Sequence, residues 1–189
     1  MASETTKAWI RRLEEDETTK NNFWKSIFSG KGIDIGCGMD KLPLEQCQPF
    51  DLQHGDANRI DELLPANSFD YVHASQCLEH MNNPADALAR WMKIVKPNGH
   101  AIITIPDFDL YEKRVWPSRY NSDHKAAFSL ERESYPNVPQ FYNVPKMLKD
   151  YNVVLCRLVT KNYDFNLPDH VDQTRFDWVE CFIEFVLKK

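Results

Sequence analysis

The residues with the clearest chemical potential are Ile33-Asp34-Ile35-Gly36-Cys37-Gly38, a short apolar run that carries an acid and ends in two glycines one residue apart. Gly32 to Ile35 is long enough for a buried parallel strand, and the glycines let the chain turn sharply and bring its backbone against a ligand. Open α/β sheets place their binding crevice at such strand ends, where the strand order reverses. A glycine pair after a strand also serves as a plain turn, so these residues alone leave both readings open. Asp51 closes the next candidate strand, Gln48 to Leu52. A carboxylate there can accept two hydrogen bonds from a ribose diol, although a lone acid in that place reads more simply as a solvated loop residue or a helix cap. Gly55-Asp56-Ala57 follows at once, and Asp56 can accept a hydrogen bond from an exocyclic amine.

The elements that must position these residues alternate. After the second strand come a turn cluster at Asn67-Ser68, a strand over Phe69 to Ala74, and a helix over Pro84 to Val95 that is ended by Pro97-Asn98-Gly99. His100 to Ile105 then reads as a buried strand closed by Pro106-Asp107. Pro43 and Pro49 leave no room for a long helix between the first two strands. This order favours a parallel sheet with crossover connections. Asn143 to Asp150 reads as a helix, and Val153 to Thr160 and Trp178 to Leu187 read as two further strands. The polar loop between those strands is no crossover helix, so the pair is expected to be antiparallel.

Two segments lie outside this alternation. Thr5 to Phe28 is charged, with Trp9, Ile10, Leu13, Phe23, Trp24, Ile27 and Phe28 at a spacing that suits one or two amphipathic helices, so residues 1–30 are expected to form a helical cap beside the sheet edge or over the ligand. Residues 108–142 are rich in Tyr, Trp, Pro, Arg and His without a clean period, which marks an insertion expected to border a functional site.

At 189 residues, 42% of them hydrophobic, the chain fits a single domain over 1–189 with a real core. A formal charge of -5 gives no electrostatic reason to bind a polyanion or an anionic membrane, so neither nucleic acid nor a membrane is an expected partner. The five cysteines form no C-x-x-C pair and have no histidine at zinc spacing, so reduced thiols and no metal are expected. Met1 to Ile10 is too polar for the apolar core of a signal peptide, and no segment approaches the roughly 20 apolar residues of a membrane span. A cytoplasmic protein is expected, and the oligomeric state stays open.

The motifs, taken in order, resemble the class I methyltransferases that use S-adenosylmethionine, of the small metal-independent kind. The resemblance covers about Gly32 to Pro106 and the C-terminal strand pair. It rests on Ile33-Asp34-Ile35-Gly36-Cys37-Gly38, Asp51, Gly55-Asp56-Ala57, Asn67-Ser68-Phe69-Asp70, Cys77-Leu78-Glu79-His80, and Leu88 through Val95-Lys96-Pro97-Asn98-Gly99-His100. It implies an α/β Rossmann-like three-layer sandwich whose mostly parallel sheet has seven strands in the order 3-2-1-4-5-7-6, the last strand antiparallel. It also implies S-adenosylmethionine as cofactor. By the resemblance Asp34 orients the glycine turn and reaches the methionine amine through the turn or a water, while Gly36, Cys37 and Gly38 form the turn that meets the methionine half. Asp51 holds the ribose hydroxyls with Leu52 beside the adenine, Asp56 and Ala57 read the adenine edge, and Ser75 with Gln76 lines the methionine end. Two departures stand out. Asp40 occupies the place where the family often has a third glycine, and the short interval from Asp51 to Asp56 leaves the third strand vestigial.

Methyl transfer from a sulfonium is an in-line displacement, which needs an aligned acceptor, excluded water and sometimes a base, but no bound metal. His124, in Asn121-Ser122-Asp123-His124-Lys125, and His80 are the candidate catalytic bases, with His170 a third; for each the simpler alternative is a hydrogen-bonded surface or capping histidine. Tyr111, Trp116, Tyr120 and Phe128 can wall an acceptor site or form the private core of the insertion. Ala74-Ser75-Gln76-Cys77 stands where amino-methylating DNA enzymes carry their Asp/Asn-Pro-Pro-aromatic motif, and there is no basic stripe. A dinucleotide-binding dehydrogenase is disfavoured because the third glycine of G-x-G-x-x-G falls on Lys41. The expected function is methyl transfer to a small-molecule or sugar-type acceptor. The alternative is a non-catalytic regulatory or scaffold protein that binds S-adenosylmethionine or S-adenosylhomocysteine.

Overall fold

A computed structural model describes residues 3–189. Its first strand, β1 (Gly32–Ile35), is buried along its whole length, as an apolar run between two neighbours should be. It pairs in parallel with β2 (Cys47–Phe50) on one side and β3 (Phe69–Ser75) on the other. β3 pairs in parallel with β4 (Val95–Ile105), which takes Pro97-Asn98-Gly99 into the strand as an irregularity. The expected antiparallel pair is present as β7 (Asn152–Val159) and β8 (Phe182–Lys188), and β8 also pairs antiparallel with β4. A separate small sheet, β5 (Ala127–Ser129) with β6 (Phe141–Asn143), lies in the insertion.

The main sheet has six strands in the order β2-β1-β3-β4-β8-β7, one fewer than expected. The missing member is the outer strand beyond β2. Its stretch of chain instead forms a 3-10 turn over Ala57–Arg59 and the short helix α3 (Ile60–Leu63), which ties to helix α4 (Pro84–Ile94) through Asp61 and Arg90 at 2.9 Å. β2 is thereby a sheet edge. Pro49 within it lacks an N–H, one of the ways a chain keeps an edge from recruiting another strand.

The sheet is covered on both faces. Ile33 and Ile35 of β1 point into a cluster with Leu88, Trp91 and Ile94 of α4. α4 begins at Asn83, whose side chain accepts from the Asp86 N–H at 3.1 Å, with Pro84 in its first turn. Trp91 is fully buried, and its indole N–H donates to the Ala57 carbonyl at 2.9 Å, pinning the 3-10 turn to the helix. Burial of one such side chain stabilises the fold by roughly 2–3 kcal/mol. On the opposite face Tyr71 and Ile102 pack against Trp24, Ile27 and Phe28 from helix α2 (Phe23–Ile27) and its C-terminal end.

The first helix, α1 (Glu4–Thr19), departs from its apolar spacing. Ile10 is 48% exposed, while Ala8, Arg11, Arg12 and Asp16 are buried. The reason lies in β8, which presents Glu184 inward at full burial. Arg11 and Arg12 reach it at 2.7 and 2.9 Å, Arg157 of β7 closes on it at 2.6 Å, and Arg11 also meets Glu180 at 2.9 Å. Burial by itself would raise the Glu184 carboxyl, but Arg12 and Arg11 outweigh it and hold it down at about 2. A buried carboxylate left unpaired is costly, so this pairing fixes which side of α1 faces the sheet. The expected helix at Asn143 is one short turn, α5 (Val144–Met147).

Candidate functional site

The glycine turn sits at the carboxyl end of β1. Gly36 and Gly38 have φ of +71° and +55°, a region that side chains rarely adopt. Their surroundings differ: a Cβ at Gly36 would lie 2.4 Å from Cys77 Sγ, whereas one at Gly38 meets nothing within 4 Å. The first glycine is demanded by packing against the exit of β3, and the second leaves backbone open. Asp51, just past β2, accepts from the Gly38 N–H at 2.5 Å and from the Leu52 N–H at 2.7 Å. A carboxylate has about four acceptor positions, so two remain for a ligand. Asp40, in the place of the third glycine, accepts from the Thr6 hydroxyl at 3.0 Å and ties the loop to α1.

Beside this turn runs a groove of about 470 Å³, lined among others by Gly36, Asp51, Leu52, Asp56, Ala57 and Gln76. Leu52 is 88% exposed and offers an apolar wall. Asp56 caps the 3-10 turn, and the Asn58 side chain and N–H hold its carboxyl below the usual range. Gln76 is held at φ +52°, a strained backbone for a residue with a side chain, of the kind that clusters at ligand sites. Asp34, Cys37, Gly38 and Ser75 do not line the groove. Asp34 points to the other sheet face, where it bonds His73 Nδ1 at 2.6 Å and accepts from the Leu42 N–H at 2.7 Å. It therefore anchors the loop after the turn from behind. Cys37 is buried within the turn, and Ser75 accepts from the Thr104 hydroxyl at 3.0 Å.

A smaller cavity of about 170 Å³ adjoins the groove, and Gln76 and His80 line both. Glu79, Tyr111, Asn121 and His124 contribute to its walls. A 3-10 turn over Leu78–His80 leaves β3 and presents Glu79 and His80, and the insertion hangs on it: the N–H groups of Lys125 and Ala126 donate to the Glu79 carbonyl. That contact carries His124 in, to a ring distance of 5.0 Å from His80. His124 Nδ1 lies 2.6 Å from Glu112, and His80 Nδ1 lies 2.9 Å from the Asp123 carboxylate. Both Nε2 atoms sit 3.9 Å from Glu79 Oε1, beyond hydrogen-bond reach. Glu79 is fully buried, and among the described residues neither of its oxygens has a hydrogen-bond partner. Burial pushes its carboxyl up to about 7. Burial would lower His124, but Glu112 and Glu79 outweigh it and raise its pKa; His80 is lowered, by burial and by His124.

The sequence candidates thus divide. His80 and His124 meet at one cavity, while His170 is exposed and lines neither space. Tyr111 walls the cavity, Tyr120 meets Tyr111 edge to face at 5.6 Å, and Trp116 and Phe128 belong to apolar clusters. Sequence reasoning gave no role to Glu79 or Glu112. Glu79 stood in a quoted motif beside His80, but Glu112 lies in the aperiodic insertion, where no spacing marks it.

The arrangement is an α/β sheet with an open groove at its strand ends, where such folds bind ligands, and a second cavity beside it. Comparison with known proteins narrows the class. Residues 23–103 match the family model of a methyltransferase domain. A ubiquinone biosynthesis O-methyltransferase of Photobacterium profundum is 30% identical over a stretch that covers 41% of this chain and 44% of that protein. The chain therefore aligns with less than half the length of that curated relative. Two solved structures share the fold. A SAM-dependent methyltransferase of Thermotoga maritima aligns over 98% of both chains with a TM-score of 0.53 at 15% identity, and one of Methanosarcina mazei aligns over 88% of this chain and 96% of its own with a TM-score of 0.54 at 11% identity. Over residues 23–103 the chain is similar to a methyltransferase domain, and its fold is the one seen in S-adenosylmethionine-dependent methyltransferases.

A methyltransferase domain of this fold implies S-adenosylmethionine as cofactor, and the site fits it on three counts. Gly38 leaves bare backbone in the turn beside the groove, Asp51 in its wall keeps two acceptor positions for hydroxyls, and about 470 Å³ is within the range of small-molecule sites.

Proposed function

We propose that the chain transfers a methyl group from S-adenosylmethionine to a hydroxyl of a small molecule or sugar-type acceptor held in the cavity at Tyr111, Asn121 and His124. The bound cofactor supplies an electrophilic methyl on a sulfonium. Asp51 takes the ribose hydroxyls, Leu52 and Ala57 flank the adenine, Asp56 accepts from its amine, and Gln76 stands where groove and cavity meet. His124 and His80 are the side chains that ready the acceptor's nucleophilic atom. The observation that carries this reading is the continuity of the two spaces through Gln76 and His80. A cavity of about 170 Å³ has room for a small acceptor. The relative named for an O-methyltransferase supports oxygen as the methylated atom.

A non-catalytic cofactor-binding protein needs no acceptor cavity with buried acid and imidazole groups, so turnover is the better account. The test is calorimetry with S-adenosylhomocysteine, followed by methyl transfer from labelled cofactor to a panel of small hydroxyl compounds. Binding near micromolar that is weakened about 10–100-fold in Asp51→Ala is expected, from loss of one or two charge-assisted hydrogen bonds. Unchanged affinity in that variant refutes the cofactor site, and binding without turnover on any acceptor favours the non-catalytic reading.

A further inference from the structure

We infer that Glu79, His80 and His124 form a binding site for one divalent transition-metal cation, which takes the acceptor's hydroxyl oxygen as a further ligand. This deepens the proposed function and rests on it for the acceptor, though not for the cation.

The geometry that carries it is a convergence of three lone pairs. One ligand atom from each residue lies within 4.8 Å of the other two. Oε1 of Glu79 is 3.9 Å from Nε2 of His80 and 3.9 Å from Nε2 of His124. Each imidazole has its other nitrogen on a carboxylate: Nδ1 of His124 on Glu112 at 2.6 Å, and Nδ1 of His80 on Asp123 at 2.9 Å. A carboxylate at Nδ1 keeps the proton there and leaves Nε2 as a free donor pair facing the cavity, the arrangement in which imidazoles bind metals.

Glu79 supplies the second, independent observation. Its carboxylate is fully buried, and both oxygens lack a hydrogen-bond partner among the described residues. A buried unpartnered carboxylate is among the most expensive features a fold can carry, and a cation is what relieves it. A cation bound at about 2.1 Å sets its ligand atoms roughly 3.0–3.4 Å apart, so the three must close by about 0.5–1.8 Å, which takes a shift of the part-exposed His80 and a rotation of the Glu79 carboxylate toward His124.

Two imidazoles and one carboxylate on one side of a cavity select Zn²⁺, Fe²⁺ or Mn²⁺ over Mg²⁺, which keeps oxygen ligands. Three protein ligands leave positions open toward Tyr111 and Asn121, where the acceptor enters. A hydroxyl bound to such a cation gives its proton to solvent water near neutral pH, leaving an anionic oxygen with the lone pair that methyl transfer requires. His80 and His124 then act on the acceptor through the cation.

The test is calorimetric titration of chelator-treated, full-length protein with ZnCl₂, MnCl₂ and MgCl₂, with S-adenosylhomocysteine titrated separately as the check on fold. One Zn²⁺ or Mn²⁺ per chain is expected, with Mg²⁺ at least 10-fold weaker. Glu79→Gln and His124→Ala should each weaken binding by about 100-fold or more, Glu112→Gln by about 10–100-fold, and His100→Ala, which lies outside the cavity, should leave it unchanged. The Glu112 variant keeps the test decisive if either ligand variant fails to fold. No saturable binding of Zn²⁺ or Mn²⁺ to protein that binds S-adenosylhomocysteine, or binding unaffected by the ligand substitutions, overturns the inference. Metal binding without any binding of S-adenosylhomocysteine leaves the inference standing and refutes the cofactor reading instead.

Discussion

Gly36→Ala and Gly38→Ala should have unequal costs, although both residues belong to one turn and both have positive φ. An alanine forced into the left-handed region costs about 1–2 kcal/mol at either position. At Gly38 the new methyl group meets nothing within 4 Å, so that term stands alone. At Gly36 it falls 2.4 Å from Cys77 Sγ and 2.7 Å from Cys77 Cβ, and Cys77 is itself buried in the main core. Overpacking of that kind adds about 1–3 kcal/mol, giving roughly 2–5 kcal/mol in total. Cys77→Ala removes the sulfur but leaves the Cβ contact, so the double variant should recover only part of the loss, with a coupling energy of about 0.5–2 kcal/mol. Urea unfolding of the wild type and the four variants measures all three quantities. S-adenosylhomocysteine affinity should move the other way, falling more per unit of lost stability in Gly38→Ala, where the methyl group enters open space. Equal destabilisation by the two glycine variants, or no coupling to Cys77, refutes the division of the turn into a packed glycine and an open one.

Three further outcomes follow from the polar groups. Glu184→Gln leaves the fully buried Arg12 without its counter-charge and removes one of those of Arg11, and should cost about 3–5 kcal/mol in urea unfolding. Because the Glu184 carboxyl is depressed to about 2 from an ordinary 4.5, its contribution is present above pH 4.5 and is lost as pH falls toward 2. The stability gap between wild type and Glu184→Gln should therefore narrow across that interval, and a gap independent of pH contradicts the pairing. Asp34→Ala should destabilise the fold by about 2–4 kcal/mol through loss of the bonds to His73 and the Leu42 N–H, and should weaken S-adenosylhomocysteine only indirectly. Asp51→Ala should show the reverse balance, with a larger loss of affinity and a stability loss of about 1–2 kcal/mol, so thermal unfolding and calorimetry on the two proteins separate them.

The strand-and-turn skeleton was legible because its signals are local. A buried parallel strand must be apolar along its length, a sharp turn against a ligand needs glycine, and an acid ends the neighbouring strand, so Ile33 to Gly38 and Asp51 announce their places without knowledge of the rest. The antiparallel relation of β7 and β8 followed in the same way from the polar loop between them.

Other features depend on what a residue meets across the fold. The sheet lost its outer strand because the segment after Asp51 found a better partner in α4 than in the edge of β2. α1 turned Arg11 and Arg12 inward against its apolar spacing because Glu184, 172 residues beyond Arg12, needed a counter-charge. Asp34 shares a motif with the glycines, yet strand alternation aims it at His73 on the far face. His124 and Glu112 reach Glu79 only through the backbone bonds that hang the insertion on the end of β3. The sequence determined by itself where backbone must turn and which strands are buried, since those are properties of neighbouring residues. Only the tertiary structure decided which polar groups face one another, because the energy of a buried charge is set by a partner that can lie anywhere along the chain.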